Sequence, residues 1–214
     1  MIHPTHRGSL LLVGRYLSPF VRRVAVAMQH FDIPYGRHVL STLKDMDTIE
    51  TYNPIARVPV LVLDTGEIIV DSAAIHEWID ARAGPEHRLM PVASGERRAA
   101  LSVLMMAVGA IERAMAANGE QRRPPGEMSR ERLDRLRRYC RQGFEALDRQ
   151  IDKRGWLAGE RMLLPDVTAA VGYTFVNRVH PGLLAENDFP ALADLTRRCE
   201  STAAFKAAWV DIES

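Results

Sequence analysis

The segment Tyr16-Leu17-Ser18-Pro19-Phe20-Val21-Arg22-Arg23 puts a hydroxyl where a short apolar run gives way to a helical pattern. The unpaired N–H groups at a helix start, together with the macrodipole, favour negative charge. A thiolate held beside Ser18 is therefore stabilised. Ser is also a preferred N-cap and Pro is favoured at the first helical position, so capping by itself accounts for the pair. The alternative is that Ser18 gives its hydrogen bond to a bound sulfur anion. Tyr16, two residues upstream, is a second hydroxyl that either points at the same sulfur or packs at the strand end.

Two further positions carry chemistry of the same kind. Pro59 opens an apolar run. A trans bond is the ordinary state there, since only about 5–6% of X–Pro bonds are cis. A cis bond turns the Val58 backbone outward, and an extended peptide can pair with such an edge. Asp71-Ser72 marks another strand end and helix start. The pair reads as an N-cap, or as a site in which Ser72 and the helix N–H groups take a carboxylate while Asp71 takes an ammonium group. A ligand carrying both charges matches it.

The elements that position these residues follow from pattern. Ser9 to Gly14 is a short apolar run closed by Gly and reads as a buried strand, and Val21, Val24, Ala25, Met28 and Phe31 lie at helical spacing after it. Ile33-Pro34 breaks that helix, and Tyr35 to Leu40 alternates as a second strand, completing a βαβ unit. Val58 to Leu63 and Ile68-Ile69-Val70 flank the turn Asp64-Thr65-Gly66-Glu67 and predict a hairpin, followed by a helix from Ser72 to the linker Gly84-Pro85. Beyond Met90-Pro91 no strand-like run remains. Helices are expected over about Gly95 to Ala117, from Ser129 through the stripe Leu133, Leu136, Cys140, Phe144, Leu147 and Ile151, then over Asp166 to Val179, Pro190 to Cys199 and Ala203 to Val210. The division is an α/β domain over 1–84 and an all-α bundle over 92–214.

Composition narrows the function classes. The chain of 214 residues is 47% hydrophobic with a net charge of +1, so it has no global field to gather nucleic acid or anionic lipid. The one basic concentration, from Arg122 to Arg141, is interleaved with Glu120, Glu127, Glu131 and Asp134 and lacks an aromatic ladder, which reads as a solvated helix face. No apolar run approaches the ~18 residues of a membrane span and the first residues carry no signal-like core, so a cytoplasmic protein is expected. Cys140 and Cys199 show neither Cys-x-x-Cys nor metal-ligand spacing, so neither a disulfide framework nor a metal is expected.

In order and spacing, Ser18-Pro19-Phe20, then Asn53-Pro54-Ile55-Ala56-Arg57-Val58-Pro59-Val60-Leu61, then Asp71-Ser72, followed by a helical domain, the chain resembles the cytosolic glutathione transferases from Leu10 to Trp209. Trp156-Leu157-Ala158-Gly159 leading to Pro165-Asp166-Val167-Thr168-Ala169-Ala170 resembles the buried helix start of that family's second domain. Leu163 stands where the usual capping Ser or Thr would be, and Ala56 replaces a frequent Gly.

The resemblance implies a thioredoxin-like first domain with Pro59 cis, joined to an α-helical bundle. It implies glutathione as co-substrate: Val58 and Pro59 at the cysteinyl backbone, Asp71 and Ser72 at the γ-glutamyl end, Arg57 reaching the glycyl carboxylate, and Phe20 beside Ser18. Ser18 would activate the thiol, with Tyr16 in reserve. Since Ser18 stands where redox-active relatives carry Cys, an enzyme–glutathione mixed disulfide cannot form there. Met105 and Met106, with Met115, fall on the helix where the family places its acceptor pocket, although core filling is their ordinary role, and Tyr16 borders that pocket. A small hydrophobic electrophile and a second copy of the chain, in a homodimer, complete the implied partners. The alternative is a catalytically silent member used for binding or regulation.

Overall fold

The computed structural model describes residues 9–151 and 155–209. Val210, at the end of the last predicted helix, lies outside them. The first compact unit holds β1 (Leu11–Val13), α1 (Pro19–His30), β2 (Gly36–His38), α2 (Met46–Glu50), β3 (Val60–Val62), β4 (Ile68–Val70) and α3 (Ser72–Asp80). The four strands form one sheet in the order β2-β1-β3-β4. β1 and β2 are parallel, with Leu11 beside Gly36, and the remaining pairs are antiparallel, with Leu11 beside Val62 and Val60 beside Val70. This is the βαβ then ββα order expected, in a thioredoxin-like arrangement.

Strand alternation divides the buried residues between two faces. Leu11, Val13 and Val60 pack with Leu40, Ile49 and Tyr52 on one side, where Val58 and Ala56 join them. Leu12 and Leu61, paired across β1 and β3, are fully buried as well. α3 packs on β3 and β4, and α1 packs on α3. α2 is absent from the pattern-based expectation because it has five residues and buries only Ile49, too little for a period to show.

α1 departs from the expected stripe. It is buried continuously from Pro19 to Met28, and Arg22 and Arg23 are buried with the rest. Arg22 donates from Nε to the Ala208 carbonyl at 2.9 Å, and its guanidinium carbon lies 5.5 Å from the Phe205 ring centroid and 5.4 Å from that of Trp209. Those partners belong to the C-terminal segment of the described chain, which carries a short helix, α8 (Ala203–Ala207). The chain from Thr202 onward accordingly groups with the first unit, and the second unit is Leu89–Ser201. This differs from boundaries at 84 and 92, and Arg22 is the physical reason, since a buried guanidinium needs these partners.

The second unit is helical throughout its described residues: α4 (Ser94–Gln121), α5 (Arg130–Gln150), α6 (Leu164–Val179), a 3₁₀ turn at Glu186–Asp188, and α7 (Pro190–Ser201). α4 has the length and composition of a membrane-crossing helix, yet it packs against α5 and α6. Small residues permit that approach. A Cβ at Gly143 would lie 2.8 Å from the Ala110 Cβ, and one at Gly172 2.7 Å from the Ile111 side chain. In the basic stretch Arg132 pairs with the buried Glu120, Arg135 with Glu131, and Arg141 with Glu145 and Asp188.

The start of α6 replaces the missing hydroxyl cap with a buried carboxylate. Asp166 accepts the Leu157 N–H and the Leu163 N–H, each at 2.8 Å. Burial pushes its carboxyl up to about 6, outweighing those two bonds and the attraction of Arg198.

Candidate functional site

Three of the sequence-marked positions share the first unit, and a glycine brings two of them together. Gly14 ends β1 at φ +122°, and a Cβ there would meet Val21 Cγ2 at 2.6 Å and Val58 Cβ at 3.0 Å. The start of α1 and the Val58 loop therefore close on a residue that must lack a side chain. The pattern showed Gly14 only as the end of a strand; its positive φ and its pinched position are tertiary facts.

Ser18 caps α1 in name more than in strength. Its φ and ψ, −68° and 120°, are those of an N-cap, yet its Oγ lies 3.5 Å from the Val21 nitrogen. That is beyond the usual range of an N–H···O bond. The residue is half-buried and the first turn of α1 has no acidic side chain. In capping, Ser18 only accepts, so its hydroxyl hydrogen is left to donate at a helix N-terminus. Pro19 occupies the first turn and Phe20 is buried, with its ring 5.3 Å from the Arg23 guanidinium.

The Tyr16 hydroxyl is engaged elsewhere. It lies 2.7 Å from the Tyr35 hydroxyl, which also accepts from Gln29 Nε2 at 3.3 Å near the C-terminal end of α1. The Arg37 guanidinium covers the Tyr16 ring at 3.7 Å from its centroid. The arrangement packs the Tyr16 ring at the strand end, and either hydroxyl of the pair can be the donor.

The Val58–Pro59 peptide is cis, as the resemblance implies. Val58 is half-buried, and Arg57 beside it is exposed. Buried Asn53 braces the preceding loop, donating from Nδ2 to the Arg57 carbonyl at 2.9 Å and accepting the Ile55 N–H on Oδ1 at 3.3 Å. Ala56 holds φ +49° in this loop. A Gly takes that conformation freely, whereas a side chain costs about 1–2 kcal/mol there.

Asp71 and Ser72 form the third position, and it is the most constrained. Asp71 caps α3 at φ +65° and ψ 144°, a region that residues with side chains rarely occupy. Its Oδ1 accepts the Ser72 hydroxyl at 3.1 Å and the Ala73 N–H at 3.2 Å. Ser72 is almost wholly buried, and its Oγ also accepts from Arg23 Nη2 at 2.7 Å. Arg23, 3% exposed, had no signal in the sequence beyond its place on a helix that proves buried all round. Next to it His76 is enclosed and stays neutral, its pKa well below the ordinary value because of burial first and the Arg23 charge second.

Met105 and Met106 lie in the second unit and are half exposed, 49% and 48%. They line a groove of about 700 Å³ between α4 and α5 with Tyr139, Arg113, Gly109 and Gly143. Core filling, the ordinary role of methionine on such a helix, is not what they do. No group of three or more metal-ligating side chains occurs among the described residues, and Cys140 and Cys199 are buried thiols pushed up to about 12 by burial.

The described residues therefore bring together a hydroxyl at one helix start, a cis-proline strand end and an acid–serine pair at a second helix start. The family model for the glutathione S-transferase N-terminal domain matches residues 12–87, and that for the glutathione S-transferase C-terminal domain matches residues 103–203. The chain is 28% identical over 197 residues to the uncharacterized GST-like protein YibF of Escherichia coli K12, covering 91% of this chain and 95% of that one. It is 26% identical over 161 residues to the maleylacetoacetate isomerase of Pseudomonas aeruginosa, covering 72% and 74% of the two chains. The crystal structure of a glutathione S-transferase from Methylobacillus flagellatus KT with glutathione bound superposes with a TM-score of 0.88 at 26% identity, over 95% of this chain and all of that one. With both family models matched in chain order on the fold they describe, this chain belongs to the glutathione S-transferase family.

Proposed function

We propose that the chain is a glutathione transferase in which Ser18 holds the glutathione thiolate for attack on a small hydrophobic electrophile. The observation that carries this reading is the Ser18 Oγ at the N-terminus of α1, which accepts weakly from the Val21 N–H at 3.5 Å and keeps its own hydrogen to give to an anion. Glutathione lies along the first unit. Its cysteinyl backbone pairs with Val58 beside cis Pro59, its γ-glutamyl end meets the Asp71 carboxylate and the backbone N–H of Ser72, and Arg57 meets the glycyl carboxylate. Phe20 packs beside the sulfur. The relatives support the ligand, since a member of similar fold is seen with glutathione bound.

The energetics close without further groups. A free thiol with pKa near ~8.5 is a few per cent thiolate at neutral pH, and lowering that value by about two requires roughly 2.7 kcal/mol. One hydrogen bond to a charged sulfur supplies about 1.5–3 kcal/mol, and the helix start adds a fraction more. The proton leaves to solvent, the sulfur lone pair attacks the electrophilic carbon, and a new C–S bond forms as the leaving group departs or the adjacent π bond shifts. Holding the two reactants together then supplies much of the rate. Met105 and Met106 offer an adaptable, polarizable surface for the apolar partner.

A second reading keeps the same thiolate. The isomerase relative supports an isomerisation at the same site, and dehalogenase or peroxidase chemistry would use the same nucleophile. A homodimer, a cytoplasmic location and a role in detoxification complete the proposal. Retention on immobilised glutathione, read beside turnover of a panel of aryl halides, epoxides and cis-enones, tests it. Glutathione-dependent turnover of any of them supports the enzyme. Retention with no turnover favours the silent binding protein, and no retention removes glutathione.

A further inference from the structure

We propose that Arg23 is a positioning residue for ligand recognition: by donating to Ser72 it commits the Ser72 hydroxyl hydrogen to Asp71 and so fixes the Asp71 carboxylate for an ammonium group. The proposal rests on reading Asp71 and Ser72 as the γ-glutamyl end of the site.

A serine hydroxyl has one hydrogen to give and two lone pairs to receive with. Arg23 Nη2 occupies a lone pair of Ser72 Oγ at 2.7 Å, and the acceptor within reach of the hydrogen is Asp71 Oδ1 at 3.1 Å. A guanidinium does not lose its proton in a protein, so this direction is permanent. Its charge also polarises the hydroxyl and strengthens the next bond in the chain. Oδ1 takes the Ala73 N–H as well, at 3.2 Å. Oδ2 receives neither bond, and the Asp71 side chain is exposed. One oxygen is thus held by these two bonds, and neither of them uses the other.

Arg23 itself is fixed. It is 3% exposed, it reaches Ser72 across 49 residues of sequence, and the Phe20 ring lies 5.3 Å from its guanidinium carbon. His76 beside it stays neutral and adds no competing charge. The backbone supplies the reason such a brace is needed. Asp71 sits at φ +65°, where an unsupported residue relaxes to a commoner conformation. Ser72, for its part, is 1% exposed, and its hydroxyl is already committed on both sides. Its part is therefore to transmit the hold of Arg23 to Asp71.

The test is a comparison of ligands by calorimetry: glutathione, glutaryl-Cys-Gly, which lacks only the α-ammonium group, and 4-aminobutanoyl-Cys-Gly, which lacks only the α-carboxylate. Wild type should prefer glutathione to glutaryl-Cys-Gly by about tenfold or more, the size of one hydrogen bond to a charged group. In Arg23→Met that preference should fall to near unity, through weaker glutathione and 4-aminobutanoyl-Cys-Gly binding with glutaryl-Cys-Gly unchanged. Ser72→Ala should give the same loss, and adding Arg23→Met to Ser72→Ala should cost nothing more. Arg23→Lys, which keeps charge and a donor, should restore part of the preference and serves in place of Arg23→Met if that variant does not fold. Equal weakening of all three peptides, an unchanged preference, or a loss confined to the two peptides that bear the α-carboxylate overturns the proposal. If wild type binds none of the peptides, the γ-glutamyl reading fails by itself. Arg23 is then judged from the crystal structure of unliganded Arg23→Met: Asp71 released from Ser72 supports the brace, and Asp71 unmoved overturns it.

Discussion

The two helix starts of the first unit are built in opposite ways. At α1 the N-cap Ser18 has relaxed dihedral angles and a long, weak bond to the N–H it caps. At α3 the N-cap Asp71 has strained dihedral angles and a carboxylate held by two bonds, backed by a buried guanidinium. A group that stabilises a charge formed during reaction has to be free to redirect its hydrogen. A group that selects a ligand has to be fixed before the ligand arrives, because ordering it on binding would cost affinity. On the proposed function, the difference suits the α1 start to chemistry and the α3 start to recognition.

Four substitutions break or sharpen that comparison, in descending order of effect. Gly14→Ala should be the most damaging, since it places a Cβ 2.6 Å from Val21 at φ +122° where α1 meets the Val58 loop. A loss of about 2–5 kcal/mol is expected from strain and overpacking, measured by urea unfolding. Asp71→Ala should weaken glutathione binding about tenfold or more with little effect on turnover at saturation, because the lost contact is remote from sulfur. Unchanged apparent affinity with collapsed turnover would exchange the roles of the two helix starts. Asp71→Gly should bind as weakly as Asp71→Ala yet be more stable than it by about 1 kcal/mol, since glycine accepts the strained backbone. Equal stabilities would mean that strain at Asp71 costs nothing. Ala56→Gly, at a strained position with no ligand contact proposed, should raise stability by under about 1 kcal/mol and leave binding alone.

The start of α6 in the second unit gives a third case, in which a cap is wholly structural. The Asp166 carboxyl, pushed up to about 6 by burial, is easier to protonate in the native state than in the unfolded chain. Its contribution is therefore fully present below the unfolded value near 4 and is lost as pH rises through about 6. Relative to Asp166→Asn, wild type should lose stability between pH 4 and pH 7, by up to about 3 kcal/mol. Carboxyl chemical shifts of Asp166 should titrate with a midpoint near 6; a midpoint at or below 4 would show that the Leu157 and Leu163 N–H bonds outweigh burial.

The sequence carried what is local. Ser18-Pro19 and Asp71-Ser72 were legible as helix starts because capping chemistry is written in adjacent residues, and the hairpin of β3 and β4 because a turn separates two apolar runs. What stayed hidden depends on distant partners. Arg22 and Arg23 sit among apolar residues with nothing nearby to say they are buried, because Ala208 is 186 residues away and Ser72 49. The Tyr16 hydroxyl gave no sign of its pairing with the Tyr35 hydroxyl, 19 residues on. Met105 and Met106 have a helical spacing that suits a core equally well, and only the packing of α4 on α5 leaves them facing a groove.

The central claim is that Ser18, and no other group, stabilises the thiolate. Its most direct test is the ultraviolet absorbance of bound glutathione thiolate titrated against pH in wild type, Ser18→Ala and Tyr16→Phe. Ser18→Ala should raise the pKa of the bound thiol by about one to two, the equivalent of losing ~1.5–3 kcal/mol of charge-assisted hydrogen bonding, while glutathione still binds. Tyr16→Phe should leave the midpoint where it is. A midpoint that moves with Tyr16→Phe and stays fixed with Ser18→Ala, or that moves with neither, contradicts the account and returns Ser18 to the role of an ordinary cap.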